Sequence, residues 1–290
     1  MAGPLLVVDT PSMLFRAFYA LPTSITGSHD KPVNGLLGAA NLILREVEEH
    51  DPRAVVLCFG PDAAEYRVEL YPAYHEDREA AFPDELGPQW EDSAAFFEAF
   101  GWILAIHDSL EADDLLGAYA RREADAGGSV LVMTGDRDLF QCAGDDVQVL
   151  YVSTGKQGGQ LVGPAEVRSR YGVEPGQVPD FIALRGDPSD GLPGAKGIGE
   201  KTAADLLQRH GSLEAALEGA LRESKPSVRS ALMAAPDELR AFKEIATLRD
   251  IDVELPPDSP TDYEGAAAAA RDRGMEQLAK RLDEKAGQPT

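Results

Sequence analysis

Short apolar runs alternate with longer amphipathic segments over the first half of this 290-residue chain. Four apolar runs predict buried β-strands: LLVVD (5–9), AVVLCFG (54–60), SVLVMTGD (129–136) and DVQVLYV (146–152). Three segments between them carry apolar residues at helical spacing and predict helices: 12–21, 36–50 and 111–127. Ser12 is well suited to cap the first of these helices. Strands that alternate with helices predict an α/β fold, a mostly parallel sheet flanked by helices.

The pattern changes after about residue 165, where helices and turns replace the strands. Successive helices are predicted over EVRSRYG, QVPDFIALRG, EKTAADLLQRHG, SLEAALEGAL and PDELRAFKEIATL. The last stretch, EGAAAAARDRGMEQLAKRLDEKAGQPT, predicts a terminal helix with a frayed tip. We therefore predict two domains, an α/β domain over residues 1–165 and a helical domain over residues 166–290.

The composition is that of a globular protein, since 43% of the residues are hydrophobic and can form a substantial core. Only five apolar residues in a row precede Asp9, and no run approaches the roughly 18 residues of a membrane span. We therefore predict a cytoplasmic protein with no membrane partner. Cys58 and Cys142 stand in apolar contexts, which predicts reduced thiols in the core.

The net charge argues against nucleic acid as a partner, because 50 acidic residues against 27 basic ones give −23, whereas such binders are usually basic. Charge acts through its local arrangement, however. A metal-centred site needs carboxylates where the ions lie, while a few Lys and Arg side chains can still line a groove. Most of the acidic residues are expected to form a solvated surface.

Acidic residues recur at the ends of the predicted strands and at the start of a helix on the same edge of the sheet. Because the carboxyl ends of parallel strands meet there, we expect these carboxylates to converge. A further pair stands in a Gly- and Pro-rich turn at the start of the helical region. The whole set is Asp9, Glu111, Asp113, Asp114, Asp136, Asp138, Asp187 and Asp190.

Eight carboxylates without cations could not share one site, since mutual repulsion would leave some of them protonated. Oxygen ligands suit Mg²⁺ or Mn²⁺ and not a thiolate or imidazole metal. Each motif alone has a simpler explanation, because a single Asp at a strand end often caps a helix or turn, and EADD is a favourable first helical turn. The combination of three acidic clusters in an alternating α/β pattern favours a metal centre.

Six motifs follow one another over roughly residues 5–255: VVDTPSMLFRAFYALP, YRVELYPAYHEDR, LEADDLLG, VMTGDRDLFQ, DFIALRGDPSDGLPGAKGIGEKTAADLL and HGSLE. In this order they resemble the bacterial and phage 5′ nucleases, the family that includes the N-terminal domain of DNA polymerase I and stand-alone flap endonucleases. The run ALRGDPSDGLPGAKGIGEKTA is the most specific of them. The resemblance implies a metal-dependent nuclease domain of the PIN-like fold, followed by a helix-three-turn-helix domain that grips duplex DNA.

The same resemblance implies that all eight acids bind two or more Mg²⁺ or Mn²⁺ ions. In a two-metal reaction, one ion would activate a water and the other would stabilise the leaving 3′ oxygen, so that DNA hydrolysis leaves a 5′ phosphate. We hypothesise that Asp113, Asp136 and Asp138 hold the ions most directly. The implied substrates are DNA 5′ ends, flaps, and nicked or gapped duplex, with a separate DNA polymerase as a partner.

Basic and glycine residues match positions of the family that contact DNA. Arg16 and Arg78 match positions that approach the scissile phosphate, and Tyr74 could stack on a base near the 5′ end or simply pack in the core. In the turn GAKGIGEKTAADLL, backbone amides and cations would contact phosphate, and backbone carbonyls would hold K⁺. The residues implied here are Gly194, Lys196, Gly197, Gly199, Lys201 and Thr202. A plain helical hairpin is the alternative.

Two positions depart from the family pattern. Gly60 stands where relatives have an acid after the second strand, and Asp62 lies two residues further on. His75 follows Tyr74 where relatives have Lys, so a near-neutral imidazole replaces a fixed cation that would act on phosphate in catalysis.

Three other functions share part of this pattern. A PIN-type ribonuclease would lack the helical DNA-binding turn. A catalytically weakened DNA-binding protein is suggested by Gly60, His75 and the net charge, although a dead site has no physical reason to keep repelling charges together. A metal-dependent phosphatase would need a nucleophilic Asp or Ser at a strand end and no such turn.

Overall fold

A six-stranded sheet forms the centre of the molecule. The structure, a computed structural model, describes residues 3–76, 82–153 and 158–287. The strands are β1 (Leu5–Asp9), β2 (Ala54–Phe59), β3 (Ile103–Ile106), β4 (Val130–Thr134), β5 (Val147–Val152) and β6 (Gly159–Val162). Their order is β3-β2-β1-β4-β5-β6, and all neighbours are parallel except β6, which is antiparallel to β5. The predicted α/β fold with a mostly parallel sheet is confirmed.

Helices flank this sheet and form the second half of the chain. In the first half they are α1 (Thr10–Ala20), α2 (Asn34–His50), α3 (Glu65–Leu70), α4 (Gly87–Glu98) and α5 (Ala112–Asp125). The second half contains α6 (Pro164–Tyr171), α7 (Val178–Arg185), α8 (Glu200–His210), α9 (Leu213–Glu218), α10 (Pro226–Ala234), α11 (Pro236–Ala246), α12 (Tyr263–Asp272) and α13 (Glu276–Ala286). A helical region after the sheet is therefore confirmed.

The central strand β1 lies between β2 and β4, and all five of its residues are buried. Its register places Asp9 beside Cys58 at the end of β2. Because β1, β2 and β4 are parallel, the residues that follow them emerge at one edge of the sheet. This edge receives the acidic segments.

The two faces of the sheet bury separate apolar clusters. One cluster joins the sheet to α5 and to the helical region from α7 to α11. The other joins the opposite face to α1, α2 and α4, and also to α12 and α13 from the end of the chain. The last two helices therefore pack beside α2 and α4 and not with α7 to α11. The division into residues 1–165 and 166–290 stays a prediction.

Several local expectations are corrected by the structure. The side chain that caps α1 belongs to Asp9, which accepts from the Ser12 backbone amide, and not to Ser12. Pro11 in the first turn suits this earlier start. The expected single terminal helix is two helices, separated at Gly274, whose φ of 73° ends the first of them.

The sequence also predicts reduced thiols in the core and no membrane-spanning segment. Cys58 is buried, Cys142 is half-buried, and both are free thiols. Among the described residues, every helix is too short or too polar to cross a bilayer.

Candidate active site

A cavity of about 1260 Å³ opens at the carboxyl edge of the sheet. Its acidic lining comes from segments far apart in the sequence. The acids are Asp9, Asp62, Glu111, Asp113, Asp136 and Asp187. The expected convergence of acids from β1, β4, the start of α5 and the turn after α7 is therefore observed.

The ends of β1 and β4 are tied together beneath the cavity. The Asp9 carboxylate accepts from the Ser12 amide through Oδ1 (3.1 Å) and from the Thr134 hydroxyl through Oδ2 (2.7 Å). The same hydroxyl accepts from the Asp136 amide (2.9 Å), and the Asp136 carboxylate accepts from the Asp138 amide (2.8 Å). These bonds hold Asp9 and Asp136 in defined positions on adjacent strands.

A tight hairpin after α7 brings in the last acids. The backbones of Asp187 and Leu192 exchange two hydrogen bonds of 2.8 Å. The turn between them needs Gly191 at a φ of 74°, a conformation that suits glycine. Arg185 donates to the Asp187 carboxylate at 2.8 Å. Asp187 consequently lines the cavity, and Asp190 lies behind it.

The acids of the site perturb one another. Burial, together with the charges of Asp190 and Asp9, raises the pKa of Asp136 to about 6. Burial and the charges of Asp9 and Asp136 raise the pKa of Asp113 well above its usual value. The pKa of Asp138 is raised in the same way by burial and by Asp136 and Asp190. The cluster is therefore unfavourable in its fully ionised form unless cations are added.

The donor set fits hard divalent ions, because the described lining of the cavity offers carboxylate oxygens and contains neither Cys nor His. Among the described residues, one group of three side chains has ligand atoms that all lie within 4.8 Å of one another. It is Glu46, Glu49 and His50 on α2, which lies outside the cavity. Mg²⁺ typically binds through one or two carboxylates and several waters, so it does not need a closed cage of protein ligands.

Three of the eight predicted acids lie outside the described lining of the cavity: Asp114, Asp138 and Asp190. Both Asp138 and Asp190 are buried close to Asp136: the charge of Asp190 raises the pKa of Asp136 and of Asp138, and the Asp138 backbone amide donates to the Asp136 carboxylate. Asp114 is different. It is fully buried, and both its carboxylate oxygens accept from the Arg67 guanidinium at 3.1 and 2.9 Å. The structure therefore does not bring Asp114 to the cavity with Asp113.

Tyr74 packs in the core, which was one of the two expectations for it, and His75 does not lie where a phosphate contact would need it. Tyr74 is only 5% exposed, and its hydroxyl donates to Glu111 at 3.1 Å, so its ring is not available to a base. The His75 ring stacks on Tyr74 with centroids 3.9 Å apart. Its Nδ1 lies 2.7 Å from the Asp62 carbonyl oxygen and its Nε2 lies 3.1 Å from the Asp190 carboxylate. His75 is therefore buried behind the acids, where it does not face a substrate phosphate.

Arginines line the rim of the cavity. Arg16 donates to the Gly135 carbonyl oxygen at 2.7 Å, which holds its guanidinium next to Asp136 in the cavity lining; its contact with a phosphate stays a prediction. Arg137 and Arg185 also line the cavity, and the sequence analysis missed both. Each adjoins an acidic motif, and that adjacency was the available signal. The predicted Arg78 lies outside the described residues.

An aromatic wall adjoins the acids and was also missed. Phe15, Phe82 and Trp90 contact one another edge to face, with ring centroids 5.5 to 5.9 Å apart. Phe82 is 42% exposed and Tyr19, on the same side of the cavity, is 68% exposed. Exposed rings of this size offer surfaces on which bases can stack.

The glycine-rich turn between α7 and α8 is held by apolar anchors. Ala195, Ile198 and Ala203 are buried, and the Ala195 amide donates to the Leu184 carbonyl. The residues predicted to contact DNA are accessible to solvent. Lys196, Gly197, Gly199 and Lys201 are exposed, and Gly194 and Thr202 are half-buried. A cleft of about 540 Å³ at the start of α8 is lined by Gly199, Lys201 and Thr202 together with Arg170. Arg170 is a further cation that was not predicted, beside Lys201 in this cleft.

Comparison with known proteins agrees with this geometry. Residues 4–172 match the family model described as 5′-3′ exonuclease, N-terminal resolvase-like domain, and residues 173–267 match 5′-3′ exonuclease, C-terminal SAM fold. The chain belongs to the 5′-3′ exonuclease family. The resemblance inferred from the motifs and the assignment as a nuclease, a hydrolase, are confirmed.

Similar proteins include both separate nucleases and polymerases. The chain is 37% identical to a 5′-3′ exonuclease of Mycobacterium tuberculosis over 95% of this chain and 93% of that protein. It is 36% identical to the thermostable DNA polymerase I of Thermus thermophilus over 92% of this chain and 31% of that protein. The bacteriophage T5 flap endonuclease, in a pseudo-enzyme-product complex with DNA and metal ions, has a similar structure, with a TM-score of 0.68 at 18% identity over 98% of this chain and 99% of that one.

The departure of this 5′-3′ exonuclease at Gly60 has a structural reason. A Cβ added at Gly60 would overlap the Leu110 carbonyl oxygen, so an acidic side chain does not fit this backbone. Asp62 lines the cavity instead. The cavity therefore has a carboxylate two residues beyond the position of the missing one.

Proposed function

We propose that this 5′-3′ exonuclease hydrolyses DNA at 5′ ends and flaps with two or more Mg²⁺ or Mn²⁺ ions and leaves 5′ phosphates. The observation that carries the proposal is the convergence of acids from distant segments in one cavity, including Asp9, Glu111, Asp113, Asp136 and Asp187. The raised pKa values of Asp113 and Asp136 mean that these two carboxyls need added cations for full ionisation.

When bound, the ions would supply a nucleophilic hydroxide and stabilise the leaving oxygen. Asp113 and Asp136 would hold them directly, while Thr134 orients Asp9 and the Asp136 turn through its hydroxyl. Arg16, Arg137 and Arg185 line the same cavity and would bind phosphate oxygens as permanent cations.

Two further surfaces support DNA as the substrate. The aromatic wall of Phe15, Tyr19, Phe82 and Trp90 would stack on unpaired bases beside the acids. The turn at Gly194–Thr202 would bind the backbone of the duplex through exposed amides and Lys side chains. Its backbone carbonyls would hold K⁺, so duplex affinity should be higher in K⁺ than in the larger Cs⁺ at equal ionic strength.

The decisive assay compares end-labelled flap, nicked, gapped and single-stranded DNA in Mg²⁺, Mn²⁺ or chelator. We expect cleavage near the junction, 5′-phosphorylated products and no cleavage in chelator. Asp136→Asn should abolish cleavage, whereas Asp258→Asn, at an exposed acid that pairs with Arg53 outside the cavity, should not. Cleavage by the Asp136 variant at the wild-type rate would exclude the proposed mechanism.

A catalytically weakened DNA-binding protein of the same fold is the second candidate. The replacement of an acid by Gly60 and the burial of His75 favour it. In the same assay this alternative predicts that flap DNA binds with no cleavage in either ion. Cleavage of an RNA flap in preference to DNA would instead favour a PIN-type ribonuclease.

A DNA polymerase is the partner that would generate such flaps by strand displacement, and we place the reaction in the cytoplasm. Addition of a strand-displacing polymerase to a gapped duplex should therefore increase the yield of short cleaved products. An unchanged yield would contradict this pairing of activities.

A further inference from the structure

One arginine is buried directly beneath the acidic cavity. Arg67 on α3 is 2% exposed. Its guanidinium donates to both oxygens of Asp114 (3.1 and 2.9 Å), lies 3.0 Å from Glu111 Oε2, and donates through Nε to the Ile245 carbonyl oxygen at 3.0 Å. A buried cation with this many partners fixes the positions of all of them.

The partners of Arg67 surround an acid of the cavity. Glu111 precedes α5 and lines the cavity, and Asp114 lies in the first turn of α5. Asp113, which also lines the cavity, stands between them in the sequence. Arg67 therefore bonds the carboxylates of Glu111 and Asp114, two residues that lie on either side of Asp113 in the sequence.

Further bonds restrict the Glu111 carboxylate. Its Oε1 accepts from the Ala64 amide at 2.7 Å, and its Oε2 accepts from the Tyr74 hydroxyl at 3.1 Å. Burial alone would lower the pKa of Arg67, but the charges of Glu111 and Asp114 raise it. The guanidinium thus stays charged and offsets part of the repulsion within the acid cluster.

The same arginine connects the metal centre to the helical region. Its partner Ile245 lies near the end of α11, and the Arg249 amide, just after that helix, donates to Asp114 at 2.8 Å. The start of α5 is therefore bonded both to α3 and to the segment that follows α11. A displacement of either would move Asp113.

We propose that Arg67 is a positioning residue of the metal centre, which acts through Glu111 and through Asp114 to place Asp113 for divalent ions. The proposal rests on the proposed function, since it assumes that these acids bind the ions. Residues that orient metal ligands typically contribute about 10- to 100-fold to metal affinity or activity. Arg67 should contribute in this range without contacting an ion or DNA.

The chain offers a matched control. Arg53 donates to both oxygens of Glu123 at 2.8 and 2.6 Å, and Glu123 lies near the other end of α5. This pair also ties α5 to a distant segment, because Arg53 donates to the Pro256 carbonyl oxygen at 2.8 Å. Arg53→Met thus removes a comparable interaction from the same helix, away from the cavity.

The experiment is a calorimetric titration of Mn²⁺ into the intact, DNA-free protein and its variants. Arg67→Met should weaken Mn²⁺ binding by about tenfold or more. Arg67→Lys, which keeps a charge but lacks the planar fork that bonds both oxygens of Asp114, should lie between this variant and the wild type. Arg53→Met should bind Mn²⁺ like the wild type, and flap cleavage by each variant should follow its Mn²⁺ affinity.

The possible outcomes separate the positioning role of Arg67 from the proposed function. Wild-type Mn²⁺ affinity in folded Arg67→Met, or an equal loss in Arg53→Met, would overturn the positioning role while leaving the proposed function intact. No Mn²⁺ binding by the wild type would instead overturn the proposed function. If Arg67→Met does not fold, Arg67→Lys and Tyr74→Phe carry the test, since the latter removes one hydrogen bond to Glu111 and should weaken binding by a few-fold.

Discussion

Removal of divalent ions should make the stability of this protein depend strongly on pH. In the metal-free fold the pKa of Asp136 rises from its ordinary 3.8 to about 6, because of burial and neighbouring acids. Each tenfold change in proton affinity is worth about 1.4 kcal/mol. Ionising this one carboxyl in the fold therefore costs about 3 kcal/mol, with further costs from Asp113 and Asp138, whose pKa values are also raised.

The sign follows from the direction of the shift. The folded protein holds the Asp136 proton more tightly than the unfolded chain does, so this group adds stability at low pH. The contribution is complete below pH 3.8, the ordinary pKa, and is lost as the pH rises through about 6. About half of it, on the order of 1 kcal/mol, disappears between pH 5 and pH 8, which corresponds to a decrease in Tm of a few °C.

Thermal denaturation in EDTA at pH 5 and at pH 8, with Asp136→Asn beside the wild type, measures this effect. The neutral amide has no proton to lose, so the variant should show a smaller decrease in Tm between the two values and a higher Tm at pH 8. Excess Mg²⁺ or Mn²⁺ should raise the Tm of the wild type more at pH 8 than at pH 5, because the ions bind the ionised carboxylates.

The comparison between variant and wild type separates Asp136 from other groups that titrate in this range. If the Tm of both proteins decreases equally between pH 5 and pH 8 in EDTA, the ionised form of Asp136 is not destabilised in the cavity. If the metal-induced gain in Tm is the same at both values, the ions do not bind to this cluster.

Three substitutions test other parts of the site. Gly60→Asp, which restores the acid typical of relatives, should destabilise by about 1–3 kcal/mol and not increase cleavage, because its Cβ would overlap the Leu110 carbonyl oxygen; a variant that is stable and faster in melting and cleavage assays would contradict this. Asp114→Asn should lower the free energy of unfolding in urea by about 1–3 kcal/mol, since it removes one of the two carboxylates that pair with the buried Arg67 guanidinium and leaves an N–H group without its acceptor. Loss of cleavage at unchanged stability would show that Asp114 is a metal ligand instead. Lys201→Ala should weaken duplex binding equally for all sequences and reduce the slope of log K against log salt by about 1, measured by fluorescence anisotropy; an unchanged slope would remove Lys201 from the phosphate contacts.

Elements with a strong local pattern were predictable. The four predicted strands and the helices α1, α2 and α5 lie within a few residues of their expected positions. The elements β3, β6, α3, α4 and α10 were missed. Both missed strands have only four residues, and they form the two edges of the sheet. An edge strand is stabilised by its neighbour more than by its own pattern, so such a segment carries little signal in the sequence.

The acidic site was predictable as a group, but not member by member. Asp113 and Asp114 are adjacent in the sequence and indistinguishable there by residue type. Successive residues of a helix point about 100° apart, so one of the two faces the cavity while the other faces Arg67. Tyr74 was assigned to DNA for a similar reason, because nothing in its local sequence shows that Glu111 accepts its hydroxyl.

By itself, the sequence determined the alternation of strands and helices, the edge of the sheet at which acids gather, and the glycine-rich turn, because each depends on residues that are near one another in the chain. Only the tertiary structure decided which carboxylates face the cavity and which are neutralised by a buried cation. That choice depends on partners such as Arg67 and Asp114, which lie 47 residues apart and meet only in the folded protein.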